Sequence, residues 1–456
     1  MTKRSHRGFS VNFCLFPPIM SQIIQPIVIL CLAVAVHCQL LIDSLLQEMF
    51  GNNPDYGVLI PEMIRSRGFG YELHHIYVPD GFVLAVHRII NPGCNQTRSA
   101  ILMSHGVLGS SNNFLNNEQS GYVEEPLDVV GGNLGFELAK RGHDVWMLDQ
   151  RGTIFSSNHT RYTIGEDGFW NWSLDEITLY DLPSTIDYIT RHTKRSHIGY
   201  VGYSQGSMTM FMLMSRIRKY NHIIRPFISL GPVFFLSDII LVRAPQIRNL
   251  PYRELGSFLA NSKGPLVGQG ITFSFKENCR SKVTQETVCN PIFYLVQTFL
   301  SPLIIPILPN VNHDRIPVYA SASEFFTLSQ KQVGHYLQNM FNNIPQQLDV
   351  SPEENMRLYG QPMPPVYDPT NITCDSMIFF SAVNDVLSDP KDLRQLTDIL
   401  KVKPVKHFMI HEPAFGHATF IFGERSMIVP YVVNPILDIM AAFYPGQHRN
   451  RTSRLV

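Results

Sequence analysis

The sequence predicts an α/β fold built on a mostly parallel sheet, with helices on its faces and one long insertion. Three observations carry that expectation. Short β-rich runs alternate with helical patterns along most of the chain. Several of those runs are almost continuously apolar, the pattern of strands buried on both faces of a parallel sheet. Residues 237–370 then break the rhythm, being irregular and rich in Pro and aromatic residues. The expected organisation is a signal peptide over 1–38, a core in two parts over 39–236 and 371–456, and an inserted cap over 237–370.

Lys3, Arg4 and Arg7 give the first segment a basic start, 27–36 is an uninterrupted apolar run, and Ala33-Val34-Ala35 offers a small-residue cleavage site. Cys38 marks a second site, and Met20 an alternative start. Pro26 and the shortness of the run argue against an uncleaved anchor helix. Next, 72–78 and 82–90 read as a hairpin around the turn Pro79-Asp80-Gly81. Further strands are expected at 100–104, 144–148, 197–201, 226–230, 377–383 and 405–410. Helices are expected at 133–141, stopped by Gly142, at 175–191, at 205–220 and at 390–400. Pro183 lies inside the second of these and predicts a kink or two shorter helices. In the insertion, 293–309 is very apolar, but Pro302, Pro306 and Pro309 interrupt it too often for a membrane span.

Lys plus Arg and Asp plus Glu each number 37, so the formal net charge is zero and no global attraction to nucleic acid or an anionic membrane results. Charged residues make up 16% of the chain, below the roughly 25% usual for soluble proteins. That deficit fits apolar surface that something covers or that meets lipid. Cys94, Cys279, Cys289 and Cys374 lie beyond the targeting segment, too few for a disulfide scaffold. Cys279 and Cys289 are close together in a polar stretch, so an oxidising compartment favours a local bridge between them. No Cys or His spacing reads as a zinc site. Glycosylation sequons stand at Asn95, Asn158, Asn171, Asn371 and Asn450. Asn171 sits among Phe169, Trp170 and Trp172, which predicts that it is buried and unmodified.

The sharpest chemical signal is Gly202-Tyr203-Ser204-Gln205-Gly206. A strand precedes this G-x-S-x-G and a Met- and Leu-rich helix follows, the setting of a nucleophile elbow. A serine hydroxyl needs a base to take its proton, and in elbow enzymes the acid and the base follow the serine in that order. Asp385 after the strand ending near 383, and His417 after the strand ending near 410, meet that order. Asp389 competes with Asp385, but it is also placed to cap the helix beginning at Pro390. His105-Gly106-Val107-Leu108 follows a strand and can present backbone N–H groups, so Val107 and Gln205 are the candidate oxyanion donors.

These residues resemble the acid lipase family of animals, the gastric and lysosomal acid lipases, which has the α/β-hydrolase fold. The resemblance runs from about Pro61 to about Asp438. Its most specific stretches are 71–88, 105–114, 142–152, 169–188 with Tyr180-Asp181-Leu182-Pro183, 202–206 and 385–392. It implies Ser204, Asp385 and His417 as the triad, Val107 and Gln205 as oxyanion residues, a lid within the cap, and Cys279–Cys289 as the cap's bridge. The chain departs from the family's pattern at Tyr203, where His is usual. It reads Asp149-Gln150-Arg151-Gly152 for an Asn-Ser-Arg-Gly-type segment, and Thr419 stands where many members have Asp. The expected activity is hydrolysis of fatty-acid esters, triglycerides or cholesteryl esters, at a lipid–water interface, by a secreted or lysosomal enzyme without cofactor or metal. A carboxylesterase for small soluble esters and a non-catalytic lipid-binding protein are the alternatives.

Overall fold

The computed structural model describes residues 53–94, 99–243, 252–266, 310–315, 318–319, 328–342 and 344–445. The signal peptide, Cys279, Cys289, Asn95, Asn450 and the apolar run 293–309 lie outside the described residues.

Nine strands form one sheet among the described residues. They are β1 Gly70–Tyr77, β2 Phe82–Ile90, β3 Ala100–Ser104, β4 Asp144–Asp149, β5 Asn158–His159, β6 Ile198–Tyr203, β7 Ile224–Leu230, β8 Met377–Ala382 and β9 Lys406–Ile410. The order is β1-β2-β4-β3-β6-β7-β8-β9, with the short β5 paired to β2. The expected hairpin is present: β1 pairs antiparallel with β2, and β2 antiparallel with β4. From β4 to β9 every neighbour is parallel.

The parallel strands β3, β4, β6 and β8 are buried along their whole length because both faces are covered. Along β3, Leu102 joins one buried cluster while Ile101 and Met103 join the other, the period of two that a pleated strand imposes. The principal helices are α1 Ile60–Ser66, α2 Leu134–Lys140, α3 Leu182–Thr193, α4 Gln205–Arg216, α5 Tyr252–Asn261, α6 Gln330–Asn342, α7 Pro390–Ile399 and α8 Asn434–Phe443. Helices α3, α4 and α7 close the first face through Ile186, Phe211 and Leu396. Helices α1, α2 and α8 close the second through Ile64, Leu138 and Ile436. The helical stretch Arg425–Phe443 is long and apolar enough to cross a membrane. Here Ile428, Val432, Val433, Ile436, Leu437 and Met440 form a buried stripe at helical spacing on the second face.

Pro183 neither breaks nor sharply ends its helix. Leu174–Glu176 starts it with a capping box at Ser173, a π turn spans Ile177–Asp181, and α3 continues to Thr193. The wider turn accommodates the position where proline has no N–H to donate. It also delivers Asp181 into the core, where its carboxylate receives Arg151 Nε at 2.9 Å and a terminal guanidinium nitrogen at 2.6 Å. Asp80 of the hairpin turn takes the other terminal nitrogen at 2.7 Å. One guanidinium thus joins the hairpin, the end of β4 and the helix before α3. Asp181→Ala leaves that buried cation half-paired and is expected to cost about 3–5 kcal/mol of unfolding free energy. An unchanged denaturation midpoint would contradict this.

Asn171 does not follow its neighbours inward. Trp170 and Trp172 are buried, whereas Asn171 is exposed, as is Asn158 on β5; Asn371 is half-buried. The aromatic setting misleads because Asn171 ends a 3-10 turn, Asp167–Trp170, and that turn aims the two indoles into the core and the amide outward.

Candidate active site

The strand order reverses around β3, and the predicted site residues follow β3, β6, β8 and β9 at their carboxyl ends. In open α/β sheets that edge, at a reversal of strand order, is where ligands bind. Ser204 stands between β6 and α4 with φ 52° and ψ −112°, a left-handed conformation that costs a non-glycine residue free energy. Its N–H donates to the Leu230 carbonyl at 2.9 Å, and its carbonyl accepts the N–H groups of Ser207 and Met208. The flanking glycines are needed for space. A Cβ at position 202 would lie 2.7 Å from the Ser207 nitrogen, and one at 206 would overlap the Ser104 carbonyl of β3.

His417 and Asp385 come together across 32 residues. Nδ1 of His417 lies 2.9 and 2.8 Å from the two Asp385 oxygens, and a carboxylate only accepts, so Nδ1 carries the proton. Asp385 also receives the Leu387 and Ser388 N–H groups at 2.9 and 2.7 Å, which fixes its plane. Nε2 of His417 is buried and has no hydrogen-bond partner among the described residues. Asp389 goes elsewhere: it caps α7 through the Lys391 N–H at 2.8 Å and pairs with Arg243.

Tyr203, the departure at the elbow, packs its ring 5.3 Å from that of His417. Its hydroxyl donates to the His417 carbonyl at 3.2 Å. Burial, and then the nearby Asp385 charge, raise the phenol's pKa well above its ordinary value, so it stays a donor. Gly231, at φ 55°, lies beneath the pair: a Cβ there would stand 2.9 Å from His417 Cε1 and 3.1 Å from Nδ1. Gly231→Ala is therefore expected to push the imidazole off Asp385 and lower turnover by at least about 100-fold, since displacements near 1 Å cost that much. Steady-state kinetics check this, and wild-type turnover would exclude the geometry.

The loop after β3 is held by His105. Its Nδ1 donates to the Gly106 carbonyl at 2.8 Å, and its Nε2 accepts the Gln150 N–H at 3.1 Å. Burial, opposed by the Asp149 charge and the bond to Gly106, lowers the ring's pKa, which favours the neutral form that lets Nε2 accept the Gln150 N–H. Val107 follows, exposed. Gln205 opens α4, where a backbone N–H has no intrahelical acceptor. Asp149 and Gln150, where the chain departs from the family's pattern, both support this edge. Asp149 accepts the Ser111 N–H at 2.7 Å, and the Gln150 amide donates to Ser104 Oγ and the His105 carbonyl at 3.1 and 3.0 Å.

Among the described residues, the side chains spaced to share a metal ion are Glu72, His74 and His192, at the β1 edge rather than here. Glu72 already pairs with Arg88 at 2.8 Å.

The geometry agrees with the sequence comparisons. A family model described as the alpha/beta hydrolase fold matches residues 99–424. The chain belongs to the α/β-hydrolase fold family. A second model, a partial alpha/beta-hydrolase lipase region, matches residues 60–118. This α/β-hydrolase is 28% identical to gastric triacylglycerol lipase of Bos taurus, over 85% of this chain and 92% of the relative. It is 28% identical to lipase member K of Mus musculus, over 84% and 91%. It is 26% identical to lysosomal acid lipase/cholesteryl ester hydrolase of Homo sapiens, over 86% and 92%. The chain is a hydrolase related over most of its length to lipases.

Proposed function

We propose that this hydrolase is a secreted or lysosomal lipase that cleaves carboxylic esters of fatty acids, triglycerides or cholesteryl esters, through an acyl-enzyme on Ser204. The observation that carries the reading is the His417–Asp385 pair, with the far nitrogen of the imidazole buried and unpartnered among the described residues. An unsatisfied buried nitrogen costs stability, and such groups persist where chemistry uses them.

In this mechanism Ser204 Oγ attacks the ester carbonyl while His417 Nε2 takes its proton. Asp385 holds the ring and stabilises the imidazolium. The Val107 and Gln205 N–H groups receive the oxyanion, each worth roughly 3–4 kcal/mol in the transition state. His417 then protonates the leaving alcohol. Water repeats the sequence on the acyl-enzyme, releasing the fatty acid and returning the proton to Ser204. No step requires a metal or cofactor.

The names of the relatives support lipid esters as substrates. So do Val107 and Val383, exposed aliphatic side chains following β3 and β8 at the same edge. The β7–β8 connection, read as the cap, lies against the site through α6, whose Gln332 bonds to Gln205. Exposed sequons at Asn158 and Asn171 suit a secretory route.

The test is hydrolysis of emulsified triglycerides, cholesteryl esters and a short soluble ester across pH. Preference for emulsified long-chain esters is expected. Hydrolysis of the soluble ester alone would make the protein a carboxylesterase, and hydrolysis of none would make it a lipid-binding relative. In the same reading Cys279 and Cys289 are bridged, and peptide mapping without reductant should recover them joined. Recovery of both as free thiols would contradict this.

A further inference from the structure

The side chain of Gln205, unlike its backbone, has no role in the mechanism above, yet three hydrogen bonds hold it. Its Nε2 donates to Gln150 Oε1. Its Oε1 accepts twice, from Gln332 Nε2 at 2.8 Å and from the Tyr336 hydroxyl at 2.5 Å. Gln332 and Tyr336 are four residues apart on α6 and so share one face of the helix. Gln150 in turn holds Ser104 and His105, and His105 holds the Gly106 carbonyl. An unbroken chain of hydrogen bonds therefore leads from α6 through Gln205 to the loop that carries Val107.

Helix α6 is itself placed firmly. It crosses α5 where Gly334 meets Gly256: a Cβ on Gly334 would lie 2.6 Å from the Ala260 nitrogen and 3.0 Å from the Gly256 carbonyl. Ser329 at its start donates to the Trp172 carbonyl and accepts the Gln332 N–H at 2.9 Å. Gln338 exchanges two bonds with the backbone of Asp349, at 2.6 and 2.9 Å. These contacts hold the helix without help from the side chains of Gln332 or Tyr336.

We propose that Gln332 and Tyr336 are positioning residues for the oxyanion hole: they clamp the Gln205 side chain and thereby align the N–H groups of Gln205 and Val107. Gln332 is fully buried, and its own Oε1 has no partner among the described residues. A residue serving only to fill space there would be better apolar, because an unpaired buried carbonyl costs stability. What Gln332 supplies is its donor. Burial raises the Tyr336 pKa, so that hydroxyl also remains a donor and Gln205 Oε1 is always the acceptor. The amide is thus locked in the one orientation that points its NH2 group at Gln150. The two halves of the hole come from separate loops, after β3 and after β6, and the clamp registers one against the other. Movement of α6 would release both together, coupling the β7–β8 connection to transition-state stabilisation.

This inference rests on the proposed reading of Ser204, Val107 and Gln205, and its test separates the two. Gln332→Met and Tyr336→Phe keep side-chain volume and remove the donors. On a short soluble ester each should lower kcat about 10- to 100-fold with KM held within about twofold, the signature of an interaction made in the transition state. Affinity for a trifluoromethyl ketone, which forms a tetrahedral oxyanion adduct, should fall in proportion to kcat/KM. Affinity for the corresponding trifluoromethyl carbinol, which has no carbonyl and cannot form that adduct, should not change. Gln338→Ala removes two bonds between α6 and Asp349 without touching Gln205; the Gly334–Gly256 crossing and Ser329 still place the helix, so kcat should be unaltered. Unchanged kcat in Gln332→Met and Tyr336→Phe, or an equal loss in Gln338→Ala, would overturn the clamp while leaving the lipase reading intact. A wild-type protein inactive on every ester would remove the lipase reading, and the clamp with it.

Discussion

Ser204→Ala is expected to lower ester hydrolysis by at least about 10^4-fold, the loss typical when the nucleophile of a serine triad is removed. The fold should tolerate the change. Alanine meets the same strain as serine at φ 52°, and the backbone bonds to the Leu230 carbonyl and from the Ser207 and Met208 N–H groups involve no side-chain atom. Any residual rate would come from the oxyanion donors and from binding alone. Turnover of a soluble ester, read beside the thermal unfolding midpoint, checks both halves of the expectation. A variant that folds normally and keeps its turnover would remove Ser204 from the mechanism.

Asp385→Asn should cost about 10^4-fold in kcat, because an amide cannot stabilise the imidazolium and favours the wrong tautomer. Asp389→Asn, only four residues on, should change kcat by less than about threefold. Asparagine caps a helix as well as aspartate does, and the Arg243 partner that it gives up is half exposed, where ion pairs contribute little. Chain order alone leaves both carboxylates in contention, and only the family resemblance favours Asp385. The structure separates them: one faces His417 at 2.8 Å and the other accepts the Lys391 N–H of α7. Reversal of the two phenotypes in steady-state kinetics would show that the acid is misassigned.

How much of this was legible in the sequence follows from how local each signal is. The strand at 100–104 and the hairpin at 72–90 could be read because turn residues and apolar runs mark them within a few positions. Ser204 was legible for the same reason, since the glycines at 202 and 206 respond to clashes with adjacent backbone. Chain order points to His417 and to either Asp385 or Asp389, and the family resemblance favours Asp385. Other features depend on distant partners. The π turn before Pro183 is tied to the pairing of Asp181 with Arg151, 30 residues away. The motifs around both residues were visible, but nothing in either announced the bond. The helical stretch Arg425–Phe443 has no clear periodic signal in the sequence, because its apolar stripe is embedded in an almost uniformly apolar segment. The contact of Gln332 and Tyr336 with Gln205 spans 127 and 131 residues, and no local pattern distinguishes those two polar residues from others on α6. Asn171 shows the opposite failure: a strong local signal, three aromatic neighbours, predicted the wrong side of a tight turn.

The central claim is that Ser204 is activated for attack by a histidine held on Asp385. Reaction with a fluorophosphonate, followed by peptide mapping, tests it most directly, because phosphonylation requires an activated serine and not merely an exposed hydroxyl. The account predicts one adduct, on Ser204, formed rapidly in the wild-type protein, slowly in Asp385→Asn and not at all in Ser204→Ala. An adduct on a different residue, or an unmodified Ser204 in folded wild-type protein, would contradict it.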